Sequence, residues 1–269
     1  MKRIFKDSIN IKLNKKIGIS WIILNRPKKL NAINITMLEK LSEAIDYLEQ
    51  EKEVRCIIIK GQGDKAFSSG ADITQLRTLT KKTAIEFSTK GKKVFSKLEE
   101  ISKPVIAAIN GYAIGGGLEL ALACDIRLAS DTAQLGFPEI KLGFIPAWGG
   151  TQRLPSIIGI TKAKRLIMSG DLITAQEASK MGLVDNVVSL NNLEIEAEKL
   201  AQKIALHTLV ELEGVKQTVN YSLKNSLGGL KKETEAFVRL ISTEETKKKL
   251  RDFDSRRNKN EEKLPSKSK

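Results

Sequence analysis

Histidine and cysteine are nearly missing from this chain, which has one His and two Cys in 269 residues. The first scarcity excludes a His-rich metal centre and leaves a Ser/His/Asp triad with His207 as its only candidate. The second excludes a disulfide framework. Cys56 and Cys124 sit in apolar surroundings, read as small core residues, and fit a reducing, cytoplasmic compartment. Long apolar runs are lacking as well. The longest, Val105 to Ala123, is broken by Asn110, Glu119 and four glycines, so it reads as a buried strand and helix and not as a membrane span. The opening Met1–Asp7 is basic but is not followed by the apolar stretch of a secretory signal. Aromatic residues make up only 5% and seldom interleave with lysines, which weakens a nucleic-acid reading of the charge.

That charge is +14, from 46 Lys+Arg against 32 Asp+Glu. An excess of this size draws nucleic acid, anionic membrane surfaces or polyphosphate ligands. The lysines fall in scattered pairs such as Lys81-Lys82, Lys92-Lys93 and Lys231-Lys232, the pattern of a solvated surface. With His and Cys so rare, any catalysis must rest on carboxylates, Lys, Tyr or backbone donors.

Residues about 8–25 read as a hairpin, with Ile17, Ile19, Trp21 and Ile23 at period two. A helix is expected to open at Thr36, with Glu39 three residues on completing a capping box. Cys56–Ile59 reads as a buried strand, about 82–101 as a helix, Val105–Asn110 as a strand leading into a glycine-rich helix start, and Asp125–Ala129 as another strand. Alternating strands and helices place the chain in the α/β class. After about residue 191 the pattern turns helical. The expected organisation is an α/β domain over 1–190, a helical module over 191–257 and a disordered tail over 258–269.

Three segments carry chemistry. In Asn110-Gly111-Tyr112-Ala113-Ile114-Gly115-Gly116-Gly117-Leu118-Glu119, a strand ends and a helix begins, so unpaired N–H groups at the helix start face the space beside Glu119. The bland reading is glycine for packing and Glu119 for the dipole. It is weakened by the apolar helix around Glu119, where an unpaired carboxylate is costly. The loop Ala66-Phe67-Ser68-Ser69-Gly70-Ala71-Asp72-Ile73 offers small residues that let backbone approach a ligand, with Asp72 as an alternative N-cap. A third segment, Gly136-Phe137-Pro138-Glu139 followed by Gly143 to Leu154, sets a second glutamate in a proline turn among apolar residues.

In order along the chain, "FSSGADI" (67–73), "KPVIAAINGYAIGGGLELALACDIRLA" (103–129) and "AQLGFPEIKLGFIPAWGGTQRL" (133–154) resemble the crotonase, or enoyl-CoA hydratase/isomerase, superfamily. The likeness runs from about residue 19 to residue 250. It implies a spiral of ββα turns with a C-terminal helical trimerisation region, assembled as a homotrimer or as a homohexamer built from two trimers. It further implies an oxyanion hole from the N–H groups of Ala71 and Gly116, and a catalytic pair, Glu119 and Glu139, that hydrates a 2-enoyl-CoA. Acyl-CoA is then the ligand, with Lys28, Lys29, Lys65, Ala66, Ser69, Gly70, Asp72, Ile73 and Ala147 as candidate binding residues. No cofactor, metal, nucleic acid or membrane is expected. Rival readings are an enoyl-CoA isomerase using the same site and an RNA-binding homologue. The latter's basic helix would match residues about 36–52, which here carry Glu39, Glu43, Asp46, Glu49 and Glu51. Three departures stand out: Phe137 where hydratases often have Gln, Ala147 in a turn usually written Pro-Gly, and Thr74 where many members have Lys.

Overall fold

A computed structural model describes residues 2–4, 8–222, 244, 246 and 248. The chain divides into two units, Met1–Leu212 and Glu213–Lys269. The boundary expected after residue 190 therefore lies about twenty residues later. The supposed disordered tail, and the helices expected over 233–250 apart from three helical residues, lie outside the described residues.

The first unit is built on two sheets. Its larger sheet runs β1 (Lys2–Ile4), β2 (Ile9–Asn14), β3 (Ile19–Leu24), β4 (Cys56–Gly61), β6 (Val105–Ile109), β8 (Ile126–Ser130) and β11 (Asn186–Val188), antiparallel from β1 to β3 and parallel from there on. The smaller sheet places β5 (Ala66–Ser68), β7 (Tyr112–Ile114) and β9 (Gln134–Gly136) in parallel, with β10 (Leu172–Thr174) antiparallel at its edge. Strands β4, β6 and β8 of the large sheet are each followed within a few residues by a small-sheet strand and then by helix: β4-β5 by α2 (Ile73–Leu76) and α3 (Lys81–Glu100), and β6-β7 by α4 (Gly116–Leu122). β8-β9 leads through a 3-10 turn (Pro138–Leu142) to α5 (Gly150–Ile158) and α6 (Ile160–Ser169). This is the ββα spiral that the sequence motifs implied.

The reason is hydrophobic patterning. Parallel strands are covered on both faces, so they tend to be continuously apolar; β6 is so throughout, and β3 and β4 are interrupted only by Ser20 and Lys60. In β3, Ile22 and Leu24 join one core and Ile19, Trp21 and Ile23 the other. The first core also holds Leu38, Leu41, Ile45 and Leu48 of α1 (Ile35–Gln50) and Phe95 of α3. The second is closed by α8 (Leu193–Ala205), whose Leu193, Ala197, Ala201 and Ala205 recur every fourth residue and let the helix lie close on the sheet. Because α8 packs on β3, β4, β6 and β8, it is part of the α/β unit and not of an appended module. The remaining elements are α7 (Ala175–Lys180) and α9 (Leu209–Ser222).

Helix α1 starts two positions earlier than the Thr36 capping box predicts. Asn34 is the cap, its side chain accepting from Met37 N–H at 2.9 Å, while Glu39 is used in an ion pair with Lys90. At the other end, fully buried Lys103 inserts its ammonium among the carbonyls of Leu48, Glu49 and Glu51, the last two at 2.9 Å. Leu48 C=O also accepts from Glu51 N–H, and Glu51 C=O from Val54 N–H, while the charge complements the negative end of the helix dipole. Burial pulls the Lys103 ammonium below 10.5, against the opposing pull of Glu49 and Glu51. Lys103→Met keeps the bulk but removes this charged donor, and should destabilise the protein by about 3 kcal/mol. Calorimetry checks this, and an unchanged melting temperature refutes the capping role.

Candidate active site

The spiral brings the three motif segments to one cleft of ≈ 530 Å³. Gly70 and Ala71 enter from the β5–α2 loop, Gly115, Gly116 and Glu119 from the β7–α4 junction, and Glu139 and Ala147 from the segment after β9. Helices α2 and α3 close the far side with Leu76, Ala84, Phe87 and Ser88. The walls are mainly apolar, and Glu119, Glu139, Ser69 and Ser88 are the few polar side chains among them.

Ala71 is held by its neighbours. Gly70 C=O accepts from Ile33 N–H at 2.7 Å, and Asp72 N–H donates to Ile33 C=O at 2.9 Å. Asp72 also caps α2 through Thr74 N–H and pairs with Arg26 at 2.9 Å. Burial pushes the Asp72 carboxyl up, but the hydrogen bonds from Arg26 and Thr74 outweigh it and hold the group below 3.8. With both flanking peptides tied down, the Ala71 N–H points to no acceptor among the described residues. Gly116 N–H, the first of α4, is in the same position. A methyl group added to Gly116 would lie 3.4 Å from Ala71 N, so the two donor-bearing residues adjoin in the cleft. Two such fixed donors stabilise an oxyanion without reorganising.

Glu119 is almost fully buried, and its Oε1 accepts from both Trp148 N–H and Gly150 N–H at 2.7 Å. Burial raises its pKa above 4.5, while those N–H groups, Arg153 and Lys92 pull the other way. Glu139 sits in the 3-10 turn after Phe137, with Oε2 buried and without a partner. Burial, with Glu119 nearby, pushes its carboxyl up to about 7. Gly115 is required beside it: its φ is +52°, and a Cβ there would meet Glu139 Oε1 at 2.6 Å. At one carboxyl backbone donors thus oppose the effect of burial, and the other is poised to exchange a proton near neutrality.

The other candidates divide. Ser69, Gly70, Ile73 and Ala147 line the cleft. Lys28, Lys65 and Ala66 line a separate hollow of ≈ 400 Å³ with Pro27, Leu30 and Gly63. Lys29 and Asp72 line neither, and Asp72 is turned to Arg26. Phe137 lies in the core beneath Gly150 and does not reach the cleft, whereas Phe144 and Trp148 do line it. Residue reading missed the donors of Trp148 and Gly150 and the whole α3 wall. Amphipathic spacing marks α3 as a helix but does not say which groups its inner face meets. Among the described residues, no group of three His, Cys, Asp or Glu could hold a metal ion, and no helix is long and apolar enough to cross a membrane.

Glu139 makes a direct prediction. The folded chain retains this proton up to about 7 and the unfolded chain only to about 4.5, so stability falls as pH rises between those values and the cost persists above them. That cost is on the order of 3 kcal/mol. Glu139→Gln should therefore raise the melting temperature at pH 8 and leave it nearly unchanged at pH 4. Equal shifts at both pH values would refute the burial of this charge.

Known proteins resemble this chain along nearly its whole length. The family model described as enoyl-CoA hydratase/isomerase matches residues 14–263. A short-chain-enoyl-CoA hydratase of Clostridium acetobutylicum is 40% identical over 92% of this chain and 95% of its own length. A crotonyl-CoA hydratase of Syntrophomonas wolfei is 38% identical over 93% and 97%. The crystal structure of an enoyl-CoA hydratase from Bacillus anthracis superposes with a TM-score of 0.88 at 35% identity, covering 93% of this chain and 97% of that one.

Proposed function

The chain belongs to the enoyl-CoA hydratase/isomerase family, and on that premise we propose that its cleft adds water across the 2,3 double bond of a 2-enoyl-CoA to give a 3-hydroxyacyl-CoA. The observation that carries this reading is the pairing of two unlike glutamates with two unpaired N–H groups on adjoining residues. The thioester oxygen sits between Ala71 N–H and Gly116 N–H, which favour the enolate over the ground-state carbonyl. Glu119 takes a proton from a water held with the Ala147 N–H, and the resulting hydroxyl bonds to Cβ. Glu139, carrying a proton near neutral pH, delivers it to Cα as the enolate collapses. The site resets when Glu119 releases its proton and Glu139 gains one.

This chemistry uses no cofactor beyond the coenzyme A of the substrate itself. Lys28 and Lys65, on the hollow next to the β5 loop, supply positive charge for its phosphates. Cytoplasmic location and a homotrimer or homohexamer complete the proposal. Buried Cys56 and Cys124, which form no disulfide, suit a reducing compartment, and α6 exposes Ile160 and Met168 as apolar surface for a second copy. RNA binding through α1 is disfavoured, because its acidic side chains Glu39, Glu43 and Asp46 already engage Lys90, Lys40 and Lys97.

Hydration of crotonyl-CoA, followed as loss of the enoyl thioester's ultraviolet absorbance, should fall about 10²- to 10⁴-fold in Glu119→Gln and in Glu139→Gln. Full turnover in both variants would refute the assignment. Conjugated absorbance appearing from a 3-enoyl-CoA, with no hydration of crotonyl-CoA, would favour the isomerase.

A further inference from the structure

Ser88 lies in the middle of α3, half-buried on the cleft wall. A serine at such a position commonly bonds back to the carbonyl one turn earlier. Here the hydroxyl instead donates at 2.9 Å to the carbonyl of Ala147, 59 residues away. The peptide that begins with this carbonyl ends in the Trp148 N–H, which donates to Glu119 at 2.7 Å. One peptide unit is therefore gripped at both ends, by α3 at its oxygen and by the buried carboxylate at its nitrogen. The Trp148 indole fixes the same unit to α3: its Nε1–H donates to Phe87 C=O at 3.2 Å, and its ring fills the notch left by Gly91, where a Cβ would collide at 2.2 Å.

Building on the hydratase reading, we propose that Ser88 is a positioning residue for Glu119, acting through the Ala147–Trp148 peptide. Donation to an amide oxygen polarises the amide and strengthens the donor at its nitrogen. The chain Ser88 O–H to Ala147 C=O to Trp148 N–H to Glu119 carboxylate thus favours the ionised form of Glu119 and fixes its orientation. It also fixes the plane of the peptide next to the Ala147 N–H, the donor assigned to the attacking water. Ser88 does no chemistry on the substrate. The charged groups that act on Glu119 are Glu139 from the 3-10 turn, Arg153 from α5 and Lys92 from α3, and all remain when the serine hydroxyl is removed.

The test compares Ser88→Ala and Ser88→Thr with the wild type, using kcat and KM on crotonyl-CoA and an infrared titration of the Glu119 carboxyl in the free enzyme, assigned with Glu119→Gln. Ser88→Ala should lower kcat about tenfold, the worth of one such bond, with KM little changed and Glu119 titrating at higher pH. Ser88→Thr, which keeps the hydroxyl, should restore both. A wild-type kcat and an unmoved titration in Ser88→Ala would overturn the proposal. So would a loss confined to KM, which marks a substrate contact, or equal losses in both variants, which mark a packing role. If the wild type hydrates no 2-enoyl-CoA while the titration still moves in Ser88→Ala, the hydratase reading fails and the positioning role stands.

Discussion

Burying the Glu119 carboxylate in a helix made otherwise of glycine, leucine and alanine is tolerable only because two backbone donors reach the same oxygen. Much of the cleft can be understood from that requirement. The donors belong to Trp148 and Gly150, so the turn joining the 3-10 segment to α5 must be held against α4. Arg153 does part of this from within α5, bonding Trp148 C=O at 2.9 Å while both its other nitrogens engage Glu99 of α3 at 2.7 Å. The indole of Trp148, packed edge-on against Phe95 and tilted against Phe87, does the rest. Glu119 is in this way anchored to a helix that also walls the cleft.

Glu139 is treated in the opposite way. No donor is aimed at its Oε2, and its backbone is fixed by a proline turn and not by side-chain bonds. Burial raises both carboxyls, but only Glu119 has donors from a neighbouring turn pulling the other way. Unlike surroundings of this kind suit a pair in which one group takes a proton from water and the other gives one to carbon.

Much of this was legible in the residues. Continuous apolar runs located β4 and β6, the polar Asn14–Lys16 turn located the first hairpin, and the cost of a carboxylate in an apolar helix singled out Glu119. Other features depended on contacts distant in sequence. Ala in every fourth position of α8 is a helix-on-sheet signature only once the sheet is known, which is why α8 was grouped with the following helices. Ser88 and the Trp148 N–H could not be found by spacing, since their partners lie 59 and 29 residues away. Phe137 illustrates the same limit: its neighbourhood in sequence is the cleft, yet its ring points into the core under Gly150.

The spiral distributes these roles unevenly along the chain. Both glutamates, the Gly116 donor and the turn that grips Glu119 fall between residues 111 and 150, a single stretch spanning one circuit and the start of the next. Ala71, Ser88 and the α3 wall come from the circuit before. Proton transfer and the shape of the acyl pocket are thus encoded in separate, consecutive pieces of sequence. Insertions or exchanges between Leu76 and Lys81 can remodel what the cleft admits without disturbing a bond to either carboxylate, so new substrates are reachable in this architecture while the reaction itself is inherited intact.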